Sequence, residues 1–443
     1  MIRSLIPLRL AGFLLLAAIS GSVVVGCTGS RPPIPASAIS ESRVPLVLVP
    51  GVTGTELRTV ESGEIAWGSG WRLLFPRDRG HAVVLSLLGG PPRVEAGAVL
   101  EELTLGPIRK PIYEPLNDWF QTLGYRPGDL DHPRPGDTYF SFAHDWRRSN
   151  VTSAAILRRR LEELRRARDE ELLEVDLLCQ SNGAHICRYL MKHGGRPLAE
   201  AESGDTARRT FRVRKLVLVG ASNGGSLRIF RMLHRGRRYL PMGRLWSPET
   251  LFTFASFFQD LPAPGEDLFL DPSGRSLDVD LYDPDSWIEY QWSLFDPEVR
   301  EKIEAADRPD LFGDPARRRD VLRRRLRAAL RFRELLAADV ELPGTELYIV
   351  QGAYAETPAR AVLMPSDTGW RTLFGEDSDE LPLRIRPLLV APGDGHATHE
   401  SQWDLSPSEL SAVADDPHHV RAGHFEAILQ PSTLMALAKW LTD

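Results

Sequence analysis

Ser181 lies in VDLLCQSNGAHICRYL, residues 175–190, where an apolar run meets a serine among small and polar residues and then a helix-like pattern. A serine between a strand and a helix can be the nucleophile of acyl transfer, its hydroxyl attacking an ester carbonyl. The turn that exposes such a serine usually reads G-x-S-x-G, because strand and helix backbones pass close together there. Gly183 meets the second glycine and Cys179 stands at the first. Cysteine is small, so the departure is tolerable. The competing reading is a serine that only caps a helix.

A serine hydroxyl needs a base, and the base needs an acid to orient it. In hydrolases with this elbow the chain order is serine, then Asp or Glu, then histidine. Asp394, in the Gly-Asp-Gly turn of LLVAPGDGHATHES, and His424, between a short strand-like stretch and a C-terminal amphipathic helix, follow that order. Asp415 and Asp416 compete for the acid and His418 and His419 for the base, but each adjoins a turn and reads more simply as solvent-facing. The oxyanion needs two backbone donors. One is the amide of Asn182, next after the nucleophile; the other comes from the turn VPGVTGTEL, where Gly51 and Gly54 let the chain bend back. His396, His399 and Glu400 lack the H-E-x-x-H spacing of zinc proteases and have no obvious third ligand, so neither a metal nor a cofactor is expected.

The elements that must hold these groups are short buried strands separated by helices. Residues 43–51, 138–146, 173–181, 213–221, 345–353 and 386–394 are apolar, β-branched runs closed by Gly, Pro or Asp, as fully buried parallel strands read. Between the second and third, Ile156, Leu157, Leu161 and Leu164 form one helical stripe that Ser149 or Asn150 can cap. Alternation of this kind predicts an α/β fold with a mostly parallel, doubly wound sheet and ligands at the strands' carboxyl ends. The core then comprises residues 43–225 and 343–443, interrupted by two insertions. Residues 55–115 crowd Trp67, Trp71, Leu73, Leu74 and Phe75 into a turn-rich segment that is either a packed subdomain or a lipid-contact surface. Residues 226–342 read as a cap with an aromatic stretch, LWSPETLFTFASFFQDLP, and an arginine-rich helix. In that helix Leu322, Leu326 and Leu330 form a core stripe, and the arginines read as a solvated face.

Several of these stretches together resemble a known family. PLVLVPGVTGTEL resembles the opening signature of the lecithin:cholesterol acyltransferase family, which includes lysosomal phospholipase A; FAHDWR resembles its Tyr-Asp-Trp-Arg strand end with histidine for tyrosine. KLVLVGASNGGS is similar to its Gly-Thr-Pro-x-Gly-Gly-Ser strand, and GHFEAIL to the stretch that carries its histidine. The resemblance is scattered over residues 44–435 and weak in both insertions. It implies an α/β-hydrolase fold with cap or lid insertions, a triad of Ser181, Asp394 and His424, and oxyanion amides from Thr53 and Asn182. The implied activity is that of a serine-dependent lipid ester hydrolase or O-acyltransferase working through an acyl-enzyme. Cys179 departs from the family's elbow glycine, and GDGHATHES lacks the Thr-Val after the family's acid.

The N-terminus places that chemistry at an envelope. Residues 1–26 carry Arg3 and Arg9, then an apolar run of signal-peptide character, and Val24-Val25-Gly26-Cys27 resembles a bacterial lipobox whose cysteine is acylated. Residues 27–42 are a Pro/Ser tether, and Thr28, rather than aspartate, favours the outer membrane. The whole chain has a formal charge of −6; removing Arg3 and Arg9 with the signal leaves 52 basic against 60 acidic residues, −8, which excludes a basic nucleic-acid footprint. Beyond Cys27 only Cys179 and Cys187 remain, one ending a strand and one inside the next helix, and two buried thiols are expected. The expected partners are a lipid ester and a membrane reached through the lipid anchor. The competing functions are a non-catalytic envelope lipoprotein with a hydrolase fold, and an esterase or thioesterase acting on a soluble substrate.

Overall fold

The computed structural model describes residues 43–69, 80–105, 108–202, 210–240 and 243–442, all within the unit Pro35–Asp443. The signal peptide, Cys27 and the tether lie outside the described residues, as do Trp71, Leu73, Leu74 and Phe75.

The apolar runs form strands β1 (Leu46–Val49), β2 (Tyr139–Ser141), β3 (Leu173–Gln180), β4 (Phe211–Val219), β5 (Glu346–Gly352) and β6 (His418–Val420). They make one sheet in the order β6-β5-β4-β3-β1-β2, and every pairing in it is parallel. Helices on the faces explain the continuous apolar pattern: Leu46, Val47, Leu48 and Val49 of β1 are all fully buried. The result is a mixed α/β chain compatible with an α/β-hydrolase-like fold. Strand order turns back between β1 and β3, and in such sheets that crevice, at the carboxyl ends, receives ligands.

The helix Asn150–Ala167 links β2 to β3. Ser149 caps it by accepting from the Val151 amide at 3.3 Å, and it buries Leu157, Leu161 and Leu164 while Ile156 stays half-exposed. The helix Asn182–His193 follows β3, and two of its cations grip one carboxylate. Arg188 Nε and Nη2 reach Glu409 at 2.6 and 2.7 Å, and Lys192 Nζ reaches it at 2.8 Å. Burial alone would lift this carboxyl; Arg188 and Lys192 outweigh it and hold it down to about 2. With its folded value below the ordinary carboxylate range, the pair stabilises the fold at neutral pH, and that contribution fades as pH falls from about 4.5 toward 2. Glu409→Gln is therefore expected to lower urea stability at pH 7 by about 3 kcal/mol, the gap to wild type closing in acid. Equal stability of the two at pH 7 would remove Glu409 from this role.

Three features differ from the sequence expectations. Residues 386–394 do not join the central sheet: Val390–Gly393 pairs antiparallel with Ala355–Pro358 in a separate ribbon. Only Gly393 of the four residues Val390–Gly393 is buried, so an apolar run bounded by Pro and Gly lies largely at the surface, with Leu389 turned inward. The sheet is instead completed by His418–Val420. Cys179 and Cys187 are joined in a disulfide, with Cα atoms 6.6 Å apart. The tight turn brings the strand end back beside the second turn of the helix, a proximity that spacing alone did not convey. The arginine-rich helix, Pro315–Ala337, is not wholly solvated on its arginine face. Arg318 and Arg333 are buried, and Arg325 donates to the carbonyls of Phe252 and Thr253.

The aromatic stretch of the second insertion is interior. Trp246, Phe252, Phe254, Phe257 and Phe258 are buried, and they join Trp67, Trp146, Trp287 and Trp292 in one apolar core that also takes in Leu322 and Leu326. Leu330 packs on its margin. Trp67 thus belongs to a packed subdomain.

Candidate active site

Ser181 closes β3 in a backbone conformation, φ 54° and ψ −127°, that a non-glycine residue rarely adopts. Such a conformation costs about 1–3 kcal/mol and persists only where the surroundings impose it. Two close approaches impose it here. A Cβ on Gly183 would stand 2.2 Å from the Val49 carbonyl oxygen, and one on Gly51 would stand 2.7 Å from the Ser181 Cβ. The helix is pressed onto the end of β1, and the loop after β1 onto the serine. Cys179, in the place of the other elbow glycine, turns its side chain into the core and bonds Cys187. Although Ser181 occupies the N-cap position, its side chain makes no capping bond.

The hydroxyl instead meets the sequence candidates for base and acid. Ser181 Oγ is 2.7 Å from His424 Nε2, and His424 Nδ1 is 2.7 Å from Asp394 Oδ2. An ionised carboxylate only accepts, so Nδ1 carries the imidazole proton and Nε2 is left to accept from the serine. Asp394 Oδ1 accepts from the amides of His396 and Ala397, both at 2.8 Å. The His424 amide donates to the Asp394 carbonyl at 3.1 Å, tying the two loops together. Burial pushes the Asp394 carboxyl up, but the His424 imidazole and the backbone donors outweigh it and set it below the ordinary range.

The oxyanion candidates flank the serine. Asn182 begins the helix, and its side chain exchanges amide hydrogen bonds with Asn150 at 2.9 and 3.0 Å, which joins two helix starts. Thr53, in the loop lying on Ser181, has φ 72° and is buried. Its amide makes no hydrogen bond among the described residues. What the arrangement can do chemically is deprotonate a serine hydroxyl with an imidazole held by a buried carboxylate.

The rival candidates are elsewhere or otherwise engaged. Asp415 pairs with Lys439 at 2.8 Å and accepts from the Trp440 indole at 3.2 Å. Asp416 and His419 are exposed, and His418 is half-buried on β6. His396 is not a ligand in any group able to hold a metal among the described residues; its ring stacks on His424 with centroids 4.3 Å apart. Burial above all pushes its imidazole well below the ordinary value. His399 stacks on His419 at 5.6 Å.

Supporting residues escaped the sequence reading because nothing local marks them. Gln180 accepts from Tyr113 Oη and donates to the Phe425 carbonyl, bridging the elbow to the histidine loop. Asp260 lies 3.6 Å from His396 Nε2 and accepts from Ser222 Oγ at 2.6 Å. A cavity of about 750 Å³ is lined by Arg228, Arg231, Arg235, Arg237, Arg371 and Trp370. Arg228 donates to the Gly395 carbonyl at 2.5 Å. Asp296, Glu298, Glu376 and Asp377 line the same cavity, so its charge is nearly balanced.

No protein-family model and no curated protein matches this chain. Among solved structures it is similar to a chain of "The crystal structure of Tle4-Tli4 complex", with a TM-score of 0.55 at 13% identity, over 91% of this chain and 98% of that one. At that identity the similarity is one of fold, a mixed α/β architecture around a mainly parallel sheet.

Proposed function

We propose that the protein is a serine-dependent lipid ester hydrolase or O-acyltransferase of the α/β-hydrolase fold, with residues 226–342 as its cap. The observation that carries this reading is the hydrogen-bonded chain from Ser181 through His424 to Asp394, begun by a serine in a strained turn at the ligand-binding end of a parallel sheet. Ser181 Oγ bonds the acyl carbon while its proton passes to His424 Nε2, and the oxyanion forms against the Thr53 and Asn182 amides. The tetrahedral intermediate collapses by breaking the ester C–O bond, and the leaving alcohol takes the proton from His424. Water, or a second alcohol, then gives its proton to His424 and attacks the acyl-enzyme, releasing acid or new ester and restoring Ser181.

The lipid part of the reading is supported by the family resemblance and by the lipobox at Cys27, which would tether the enzyme to an envelope membrane. The test presents two esters to the full protein, a long-chain phospholipid in vesicles and a soluble short-chain aryl ester. Turnover that rises sharply above the vesicle threshold, together with fluorophosphonate labelling of Ser181, is the expected result. Labelling with equal activity on soluble esters and none on vesicles would return the substrate to a soluble ester. A folded wild type that neither labels nor turns over would make the chain a binding protein.

A further inference from the structure

The loop that carries Thr53 is held by tryptophans that the catalytic chain does not use. Trp67 donates its indole N–H to the Thr53 carbonyl at 3.0 Å, and Trp146 donates its own to the Thr55 carbonyl at 2.9 Å. The Gly54 carbonyl between them accepts from the Leu100 amide at 2.9 Å, and the Gly54 amide closes the turn onto Gly51 at 3.1 Å. Every carbonyl from Thr53 to Thr55 therefore has a donor, while the Thr53 amide has no acceptor among the described residues. Thr53 is β-branched and sits at φ 72°, a conformation its side chain resists. Such a residue stays put only where its surroundings over-determine it.

We propose that Trp67 is a positioning residue for the oxyanion: by holding the Thr53 carbonyl, its indole N–H keeps the Thr53 amide aimed at the place where negative charge develops above Ser181. This rests on the reading of Ser181 as the nucleophile. The indole is itself immobilised, its ring 5.9 Å from Trp146 at 76° and 4.8 Å from Trp246 at 47°. Trp67 is 5% exposed, so water cannot replace the bond it makes. A donor preorganised in this way acts on the transition state and hardly on the bound ester, whose carbonyl carries less charge.

The experiment compares full-length wild type, Trp67→Phe and Trp246→Phe on a short-chain aryl ester and in their rates of fluorophosphonate inactivation. Trp246 supplies the same kind of ring to the cluster, packed against both Trp67 and Trp146, and so controls for packing. The expected result for Trp67→Phe is a kcat lower by about 10- to 100-fold with KM within about threefold, and inactivation slowed in parallel. Trp246→Phe should stay within about threefold of wild type. If Trp67→Phe does not fold, benzothienylalanine at position 67 keeps the shape of the ring, lacks the N–H and should give the same loss of kcat. Wild-type kcat in the folded Trp67 variant, or equal losses in both tryptophan variants, would overturn the inference while leaving Ser181 as nucleophile. A wild type that fluorophosphonate does not label defeats the underlying reading instead.

Discussion

Replacing Ser181 with alanine is expected to lower kcat on any ester substrate by at least about 10³-fold, with little change in folding stability. Among the described residues the hydroxyl's side-chain hydrogen-bond partner is His424 Nε2, and it makes no capping bond, so its removal leaves the elbow's backbone contacts in place. His424→Ala is expected to cost about as much, and the double variant scarcely more, because residues that act as one unit are not additive. The measurement is steady-state hydrolysis of an aryl ester beside thermal unfolding of each variant. Retention of more than a few per cent of activity by Ser181→Ala would transfer the nucleophile's role elsewhere and undo the proposal.

Asp394→Asn is the second large effect expected, a loss in kcat of about 10²- to 10⁴-fold with KM nearly unchanged. The carboxylate can only accept, which fixes the imidazole proton on Nδ1. An asparagine amide can turn its NH₂ toward Nδ1 and hold the proton on Nε2, facing the serine. The amides of His396 and Ala397 bond Asp394 Oδ1 and not the oxygen that meets His424, so the loop should keep its shape in the variant. The pH dependence carries a sign as well. Asp394 titrates below the ordinary carboxylate range when folded, so its stabilising contribution is complete at neutral pH and disappears only as pH falls through that lowered value. The wild-type activity profile should therefore show no loss attributable to this carboxyl between pH 6 and 8, roughly the working range of an imidazole base. An Asn variant with wild-type kcat would show that another group orients His424.

The two expected losses differ in what they reveal about legibility. Ser181 announces itself locally, through an apolar run, a small residue two positions on and a helix pattern after it. Asp394 and His424 were found by chain order and by their turns. The strand assigned ahead of Asp394 was not a strand of the central sheet. A run such as RPLLVAP has the composition of a buried strand, but its prolines and its ribbon partner Ala355–Pro358 keep it at the surface. Position within a sheet is a property of partners, and partners are distant in sequence. The short strand-like stretch before His424, His-His-Val, takes its place as β6 only because β5 supplies a neighbour.

The aromatic insertions make the point from the other side. Trp67 reads equally as a lipid contact or as core, and the Phe-rich stretch of residues 245–262 as part of a cap, since hydrophobicity says that a side chain avoids water and not where it goes. Three segments far apart in the chain meet to bury them, and in meeting they place two indole donors on the Thr53–Thr55 loop.

By itself, then, the amino-acid order determined the alternation of strand and helix, the elbow at Ser181 and the sequence of candidate groups behind it, because these depend on periodicity and on the steric needs of single turns. Only the tertiary structure decided that Cys179 and Cys187 are bridged, that Asp394 reaches His424 from a surface ribbon, that arginines of a polar-looking helix face inward, and that Trp67 grips Thr53. Each of these is set by which surfaces close-packing brings together, a condition on the whole chain that no local pattern contains.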